Sequence, residues 1–336
     1  MRTKLQTDEA VLDPSIRLRF AQWADLNAVT QLIYDVCEAD GDTTMAVTLE
    51  EMRHEWETPG FNIETDAIVA VTAESRIVGY EEFFNLSEHS KLRTDGYVHP
   101  KFTGLGIGTS MMRMVEERAR KDISLAAPDA RVFIQSTLDS HDNEGRNIHE
   151  SEGYSPIRFH WIMQIDLKAA PPVVPLPEGI DLRPFIMGKH DRAVWEADME
   201  AFRDHWGNLD ITFDEWKTDN LGMSDLDPSL WMIAWDGDQI AGVSLNRYRM
   251  GIGWIRRLGV RRPWRKKGLG YSLLLRSFDE FYRRGTQIIG LGVDAQSPTG
   301  ATRLYIKAGM YTSSELVTYE KELRPGKEIS VQSLLE

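Results

Sequence analysis

The chain has 336 residues, a length that predicts two domains, each large enough to bury its own core. Hydrophobic residues make up 42% and charged residues 27%, an ordinary globular balance, and no apolar run is long enough to span a bilayer. The net charge of -13 argues against nucleic acid as a partner and slightly favours cationic or amine substrates.

The N-terminal sequence and the cysteine content indicate the compartment. The sequence MRTKLQTDEAVLDPS at the start lacks the apolar segment of a signal peptide. Cys37 is the single cysteine, so an internal disulfide is impossible, and no CxxC or histidine-rich pattern around it indicates a metal site. We therefore expect a cytoplasmic protein without a metal, in which Cys37 is a buried apolar residue.

An internal repeat with an offset of about 160 residues organises the chain. Four segments recur in the same order: 16–19 and 180–183, 67–79 and 232–242, 98–108 and 260–270, and 149–153 and 305–309. Between the copies lies 169–179, AAPPVVPLPEG, whose four prolines predict an extended linker. The boundary is predicted near residue 172, giving domains 1–172 and 173–336.

Each copy shows the same order of strands and helices. The predicted strands are 16–19, 67–72, 78–85, 96–98, 132–137 and 159–167 in the first copy, and 182–184, 231–235, 240–248, 254–260, 288–293 and 315–322 in the second. Hairpins followed by strand–helix–strand units indicate an α/β (α+β) fold with a mixed sheet.

The stretch from Gly253 to Gly285 reads as a strand, a basic glycine-bearing turn and a helix. Leu274, Phe278 and Phe281 form one apolar stripe on that helix. Free N–H groups at a helix start, the helix dipole and nearby basic residues favour an anion, so the turn is interpreted as a phosphate or pyrophosphate site. A solvated basic turn is the alternative.

Two other phosphate motifs fit the turns poorly. A Walker loop requires Lys and then Ser or Thr after its last glycine, whereas Thr109 and Tyr271 follow here. The dinucleotide fingerprint requires a third glycine where Met111 and Leu273 stand. That fingerprint also normally opens a domain, whereas both turns lie in the middle of a copy.

The segment from Arg265 to Gly270, RKKGLG after a strand, resembles the coenzyme A loop of the GNAT acetyltransferase superfamily. The sequence at 293–310, with Tyr305 ahead of Gly309-Met310, resembles the second signature of that superfamily. Both halves and the segment 202–207 look most like tandem GNAT proteins related to mycothiol synthase. The resemblance implies two tandem GNAT-like domains, each with a mixed, mostly antiparallel sheet flanked by helices, and acetyl-CoA as cosubstrate.

The resemblance also implies which residues hold acetyl-CoA. Loop N–H groups and the charges of 265–267 would bind the phosphates, and the pantetheine amides would pair with the strand edge at 258–260. A free N–H there would polarise the thioester carbonyl. The expected cofactor-binding residues are Leu258, Gly259, Val260, Arg265, Lys266, Lys267, Gly268, Leu269, Gly270 and Tyr271.

Tyr305 is the candidate catalytic acid, since a tyrosine beside a departing thiolate can donate a proton. We expect it on a short helix with Ser297 as N-cap, Pro298 in the first turn and Gly309 at the end. Ser297 stands where the family often has Asn, so we do not assign it as a cofactor contact. A packed core tyrosine is the alternative.

The general base is not visible, because the strand 254–260 contains no Glu, a residue that many relatives keep there. Asp204 and His205 are candidates on the acceptor side, and a water relay is the alternative. Each of the two residues can equally be structural. Trp206 is a candidate for the acceptor pocket, although the ten tryptophans of the chain favour ordinary core use.

The first copy departs from this pattern. Thr103 stands at the position of Arg265, although its glycines keep the turn permissive, and Lys101 restores part of the charge. His149 stands at the position of Tyr305, and histidine can also donate a proton. We expect the first copy to be a structural or cofactor-binding remnant and the second copy to carry catalysis.

The leading hypothesis is an acetyl-CoA-dependent N-acetyltransferase that acetylates a primary amine of a small molecule by direct attack in a ternary complex, as a monomer or homodimer. Two alternatives stay open. One is a non-catalytic acyl-CoA-binding or regulatory protein, and the other is an acyltransferase that uses a longer acyl-CoA. The sequence does not name the acceptor amine.

Overall fold

The computed structural model describes residues 11–208, 211–222, 226–297 and 299–328. These residues form two compact units. Unit 1 comprises the described residues up to Ile157 together with Val317–Glu328, and unit 2 comprises the described residues of Arg158–Leu316.

Unit 1 is a sheet with helices packed on it. The strands β1 to β4 are antiparallel neighbours in chain order, and β5 is parallel to β4. The strands are β1 (Ile16–Phe20), β2 (Ala67–Thr72), β3 (Ile77–Ser87), β4 (Lys91–Val98) and β5 (Val132–Asp139). The helices are α1 (Leu26–Ala39), α2 (Leu49–Trp56), α3 (Ile63–Asp66), α4 (Ile107–Asp122) and α5 (Asn143–Ser151).

Unit 2 repeats this arrangement, with the strand order β6-β11-β10-β9-β8-β7. Its strands are β6 (Ser155–Asp166), β7 (Ile180–Arg183), β8 (Met232–Asp236), β9 (Gln239–Arg249), β10 (Ile252–Val260), β11 (Ile288–Asp294) and β12 (Tyr311–Arg324). Of β6 only the residues from Arg158 onward, and of β12 only those up to Leu316, belong to unit 2. Its helices are α6 (Asp191–Phe202), α7 (Phe213–Leu221), α8 (Leu269–Arg283) and α9 (Ala301–Lys307).

The predicted fold class is confirmed: each unit has a mixed, mostly antiparallel sheet flanked by helices. The largest difference in a strand boundary is at β4, which begins at Lys91 rather than at residue 96. The part missing from the prediction, residues 91–95, carries Arg93 and Asp95, which form an ion pair with each other at 3.2 Å. Because these residues are charged, their sequence did not predict a strand. In the structure the opposite charges pair within the strand.

The compact units do not divide where the sequence repeat divides. Residues 158–166 of β6 belong to unit 2, and residues 317–324 of β12 belong to unit 1. The boundary near residue 172 stays a prediction about the repeat. The proline segment before β7 has no regular secondary structure, and its Pro175 carbonyl accepts a hydrogen bond from Ser272 at 3.0 Å, so it lies along α8.

The one parallel strand pair described in each unit is short, and this creates a cleft. In unit 2, β10 pairs with β11 only at Gly253 and Trp254. In the antiparallel pairing of β10 with β9, the register shifts between Ile255 and Arg257. A bulge bends its strand and increases its twist. The rest of β10 therefore separates from β11 and leaves one edge open.

Helix α8 packs the predicted stripe of apolar side chains against the sheet of unit 2. Leu274, Phe278 and Phe281 are each fully buried, and they pack with residues of β10 and β11 such as Ile255 and Leu291. Burial of a large apolar side chain stabilises the fold by about 1.5–3 kcal/mol. This stripe fixes α8 on the sheet and thereby fixes the loop that precedes the helix.

None of the helices in the described ranges has the length and apolar character needed to cross a membrane. Cys37 is buried on α1, as predicted.

The substitution Phe281→Ala tests this packing. Because Phe281 is fully buried, we expect the free energy of unfolding of unit 2 to fall by about 3–5 kcal/mol. Denaturant unfolding followed by circular dichroism measures the change. Arg283→Ala, at a side chain that is 67% exposed, serves as the control and should change the value by less than about 0.5 kcal/mol. Equal effects of the two substitutions would contradict the assigned core.

Candidate active site

Where β10 leaves β11, unit 2 contains a cavity of about 590 Å³. The open edge of β10, the start of α8, helix α9 and the end of α6 surround it. The predicted residues that line it are Leu258, Gly259, Val260, Arg265, Lys266, Gly268, Leu269, Gly270, Tyr271, Tyr305, Asp204 and His205. Lys267 and Trp206 lie outside it. The structure therefore brings most of the predicted residues to one place.

The glycine turn places backbone N–H groups at the cavity. Lys266 and Gly268 have φ angles of +62° and +86°, and α8 begins directly afterwards with no side chain capping its first turn. Alternation between left- and right-handed residues directs successive N–H groups to one side, which together with a helix N-terminus forms an anion site. The turn therefore fits a pyrophosphate group.

Arg265 is held by the protein itself. Its guanidinium donates to the carbonyl oxygens of Val260 and Ala201, each at 3.0 Å, and to Asp204 at 3.2 Å. All three nitrogens therefore have protein partners. Arg265 fixes the turn against β10 and α6, so the structure supports a positioning role beside the direct phosphate contact that was predicted. Lys266 brings a cation to the lining of the cavity.

Asp204 is a poor candidate for the general base. It accepts hydrogen bonds from Arg262 and Arg265. The hydrogen bond from Arg262 is the largest cause that holds the pKa of Asp204 below its usual range. A carboxylate stabilised in this way has little affinity for a proton. Its contacts fit the positioning of Arg265.

Tyr305 projects from α9 into the cavity and is only 7% exposed. Burial raises the pKa of Tyr305 to about 12. The phenol therefore keeps its proton throughout the neutral and mildly alkaline range. A buried, protonated hydroxyl fits the role of an acid toward a thiolate.

The predicted start of this helix is wrong. Helix α9 begins at Ala301 with Gly300 as its N-cap, not with Ser297. The backbone N–H of Ser297 donates to Asp294 at 3.0 Å, which closes a turn and delays the helix, while its hydroxyl bonds that of Thr299 at 2.9 Å. Pro298 lies outside the described residues. Gly309 has φ +93° just beyond the helix, as a C-terminal stop requires.

His205 lines the cavity just after the end of α6. Burial is the largest cause that lowers its pKa, and the nearby charges of Arg257 and Arg265 lower it further. The imidazole is therefore neutral at pH 7 and able to accept a proton. Its ring packs on Phe202, with 4.5 Å between ring centroids.

Trp206 packs outside the cavity, where the Arg158 guanidinium lies 5.3 Å from its ring centroid. Arg256, which was not among the predicted site residues, lines the cavity and donates to Asn220 at 2.6 Å. The sequence signal that could have indicated Arg256 is the pair of adjacent arginines in the predicted strand 254–260.

No group of three or more histidine, cysteine, aspartate or glutamate residues suited to a metal occurs in the described ranges.

Unit 1 contains a corresponding cavity of about 410 Å³. Thr103, the glycines of its turn and His149 line it, whereas Lys101 does not. Gly104 and Gly106 have φ angles of +75° and +72°, so the turn repeats the backbone conformation of Lys266 and Gly268. The two units share the shape of the turn and differ in its charges.

Comparisons with known proteins define the class. The profile of the Acetyltransferase (GNAT) family matches residues 32–132 and 192–310. The chain therefore belongs to the GNAT acetyltransferase family, as the sequence resemblance implied. It is an N-acetyltransferase with two GNAT regions in tandem, and its family supports acetyl-CoA as cosubstrate.

Individual proteins agree with this class. The GCN5-related N-acetyltransferase from Sphaerobacter thermophilus is 37% identical, covering 95% of this chain and 99% of that chain, with a TM-score of 0.80. A tandem GNAT protein from the clavulanic acid biosynthesis pathway, at 15% identity, covers 93% and 100% with a TM-score of 0.72 and shares the fold. Mycothiol acetyltransferase from Pseudarthrobacter chlorophenolicus is 27% identical over 225 residues, which are 63% of this chain and 64% of that protein.

Two glycines of the turn give a matched test of the anion site. Gly268→Ala places a side chain at φ +86°, which costs about 1–2 kcal/mol, so we expect acetyl-CoA to bind roughly tenfold more weakly. Gly270→Ala lies in helical backbone, where the added carbon would meet Leu304 and Val260 at an ordinary 3.5 Å. Calorimetric titration with acetyl-CoA measures both. Loss of binding in Gly270→Ala alone would contradict the assigned geometry.

Proposed function

We propose that unit 2 transfers the acetyl group of acetyl-CoA directly to a primary amine of a small molecule, with both substrates bound together. The observation that carries the proposal is the single cavity of unit 2, which joins the open edge of β10, the glycine turn, Tyr305 and His205. Direct transfer needs the donor and the acceptor amine within reach of one another, and one cavity supplies that positioning.

The donor would extend from the glycine turn along β10. The N–H groups of the turn bind the pyrophosphate, and Lys266 adds positive charge. The edge at 258–260 has β9 on one side and lies beyond the pairing with β11 on the other. The amides of the pantetheine arm pair with this edge as an added strand does. An edge N–H stabilises the oxygen of the tetrahedral intermediate.

The chemical step moves one acetyl group and two protons. The nitrogen lone pair of the neutral amine attacks the thioester carbon, and the carbon–sulfur bond breaks as the intermediate collapses. Tyr305 donates its phenolic proton to the departing sulfur. His205 accepts the proton that the amine loses, directly or through a water. Product release and solvent then restore both residues to their starting protonation states.

His205 fits the base better than Asp204 does. Both line the cavity, but the arginines hold Asp204 ionised, whereas burial and positive neighbours keep His205 neutral at pH 7. A water relay remains the alternative route for the proton. The relatives named mycothiol acetyltransferase support a small-molecule acceptor.

Unit 1 has the shape of the turn without its cations, so we assign it no catalytic role. Thr103 stands where Arg265 stands, and His149 replaces the tyrosine. A non-catalytic acyl-CoA-binding protein and a transferase for a longer acyl group are the competing functions. Turnover of acetyl-CoA, and of longer acyl-CoA donors, with a panel of amines separates these functions from the proposal.

The substitution Tyr305→Phe tests the acid. We expect kcat to fall by about 100-fold while acetyl-CoA affinity changes less than about threefold, because only the proton donor is removed. Release of free thiol gives kcat, and calorimetry gives the affinity. Tyr282→Phe makes the same chemical change outside the cavity and should leave both values unchanged. An undiminished kcat in Tyr305→Phe would remove the assignment.

The pH dependence tests the base. Since the pKa of His205 lies below its usual range near 6.5, we expect kcat to stay level as pH falls to about 6.5 and to decline at lower pH, as His205 becomes protonated. The pKa of Tyr305, about 12, predicts no loss from its ionisation up to about pH 10. In His205→Gln the acid limb should disappear and kcat should be lower. If kcat of His205→Gln declined at low pH as it does in the wild type, His205 would not be the base.

A further inference from the structure

The cavity of unit 1 has the wrong charge for a coenzyme. Its carboxylates are Glu81 in the interior and Asp40, Asp142 and Glu144 at the exposed mouth. Among the described residues that line it there is no lysine or arginine. Burial raises the pKa of Asp40, and the negative charges of Asp142 and of nearby Asp139 raise it further. The cavity favours positive charge.

The glycine turn of unit 1 is also occupied by the protein. The N–H of Gly104 donates to Glu144 at 3.0 Å, so a carboxylate of the same chain lies where a phosphate would otherwise bind. Gly106 faces the Val11 carbonyl closely, since a Cβ at Gly106 would lie 2.6 Å from that oxygen. A pyrophosphate at this turn would meet a carboxylate and a carbonyl oxygen, and no cation from the described lining residues.

Because position 96 is a glycine, the carboxylate of Glu81 has room inside the cavity. Glu81 pairs in the sheet with Gly96, and a Cβ at Gly96 would lie 2.9 Å from the carboxylate. The corresponding pair in unit 2 is Ser244 and Leu258. Glu81 is 3% exposed and accepts a hydrogen bond from Thr94 at 2.9 Å. Burial is the main cause that raises the pKa of Glu81 to about 8, and an adjacent ammonium ion would lower it again.

His149 supplies a second acceptor. Its Nδ1 lies 2.7 Å from the Gly145 carbonyl, which can only accept, so Nδ1 carries the hydrogen. Burial lowers the pKa of His149, so the ring is neutral and Nε2 holds a lone pair. Nε2 is buried and has no hydrogen-bond partner among the described residues. A buried acceptor without a partner is costly, and an N–H of a ligand would satisfy it.

We propose that the unit 1 cavity binds a linear aliphatic polyamine, with one ammonium group beside Glu81 and another at the carboxylates of the mouth. Glu81 in the interior and the carboxylates at the mouth supply two separate acidic sites, and an ammonium group beside Glu81 favours its ionised form. The unpartnered Nε2 of His149 accepts an N–H of the ligand. The apolar lining from Ile107 and Met111 suits the methylene chain. This ligand is distinct from the acetyl-CoA of unit 2, and its binding does not require acetyl transfer.

Calorimetric titration of the full chain with spermidine at pH 7.5 and low salt tests the proposal. We expect saturable binding with one equivalent per chain and weaker binding as salt is added. Gly96→Leu, which fills the cavity with the side chain that unit 2 carries, should abolish it. Glu81→Gln, an isosteric change, should weaken it at least tenfold. Glu117→Gln removes the same charge from the exposed face of α4 and should have no effect.

Two outcomes would overturn the proposal. One is the absence of saturable spermidine binding to the wild-type chain. The other is binding of equal strength in wild type, Glu81→Gln and Gly96→Leu, which would place the polyamine elsewhere, for example at the acceptor side of unit 2. If Gly96→Leu fails to fold by circular dichroism, Glu81→Gln decides. Because the readout is binding, a chain without transferase activity would still give a clear result.

Discussion

The separation of β10 from β11 after Trp254 is the constraint on which the site of unit 2 depends. The shift of register between Ile255 and Arg257 bends β10, so its last residues keep β9 as a neighbour and lose β11. This opens a cleft in the sheet of unit 2. The glycine turn follows β10 and Tyr305 follows β11, so the cleft brings the anion site and the acid together.

The turn keeps a costly backbone conformation because its surroundings hold it. Lys266 adopts φ +62°, which is unfavourable for a residue with a side chain. Arg265 compensates by tying the turn to Val260, Ala201 and Asp204, while the buried stripe of α8 holds its other end. Unit 1 reaches the same conformation with glycines and no such arginine. One backbone therefore carries two charge patterns, and the side chains determine which ligand each cavity accepts.

The sequence predicted the features that depend on local pattern. The repeat, the glycine turn, the stripe of Leu274 and Phe278, and the order of strands all follow from spacing and composition. Features that depend on long-range contacts were missed. Arg265 is held by Ala201 at the end of α6 and by Asp204 just after it, which lie 64 and 61 residues away in the chain. The alignment of Glu81 with Gly96 exists only in the sheet. Helix α9 began later than predicted because the turn at Asp294 uses the residues intended as its cap.

Hydrogen–deuterium exchange of the full chain with and without acetyl-CoA tests the central claim, that unit 2 alone holds the cosubstrate. We expect slower exchange of backbone amides at 258–271 and 301–306, which line the cavity of unit 2, and no change at 96–112, the matching region of unit 1. Protection at 96–112, with or without protection in unit 2, would show that unit 1 also binds acetyl-CoA and would contradict this assignment.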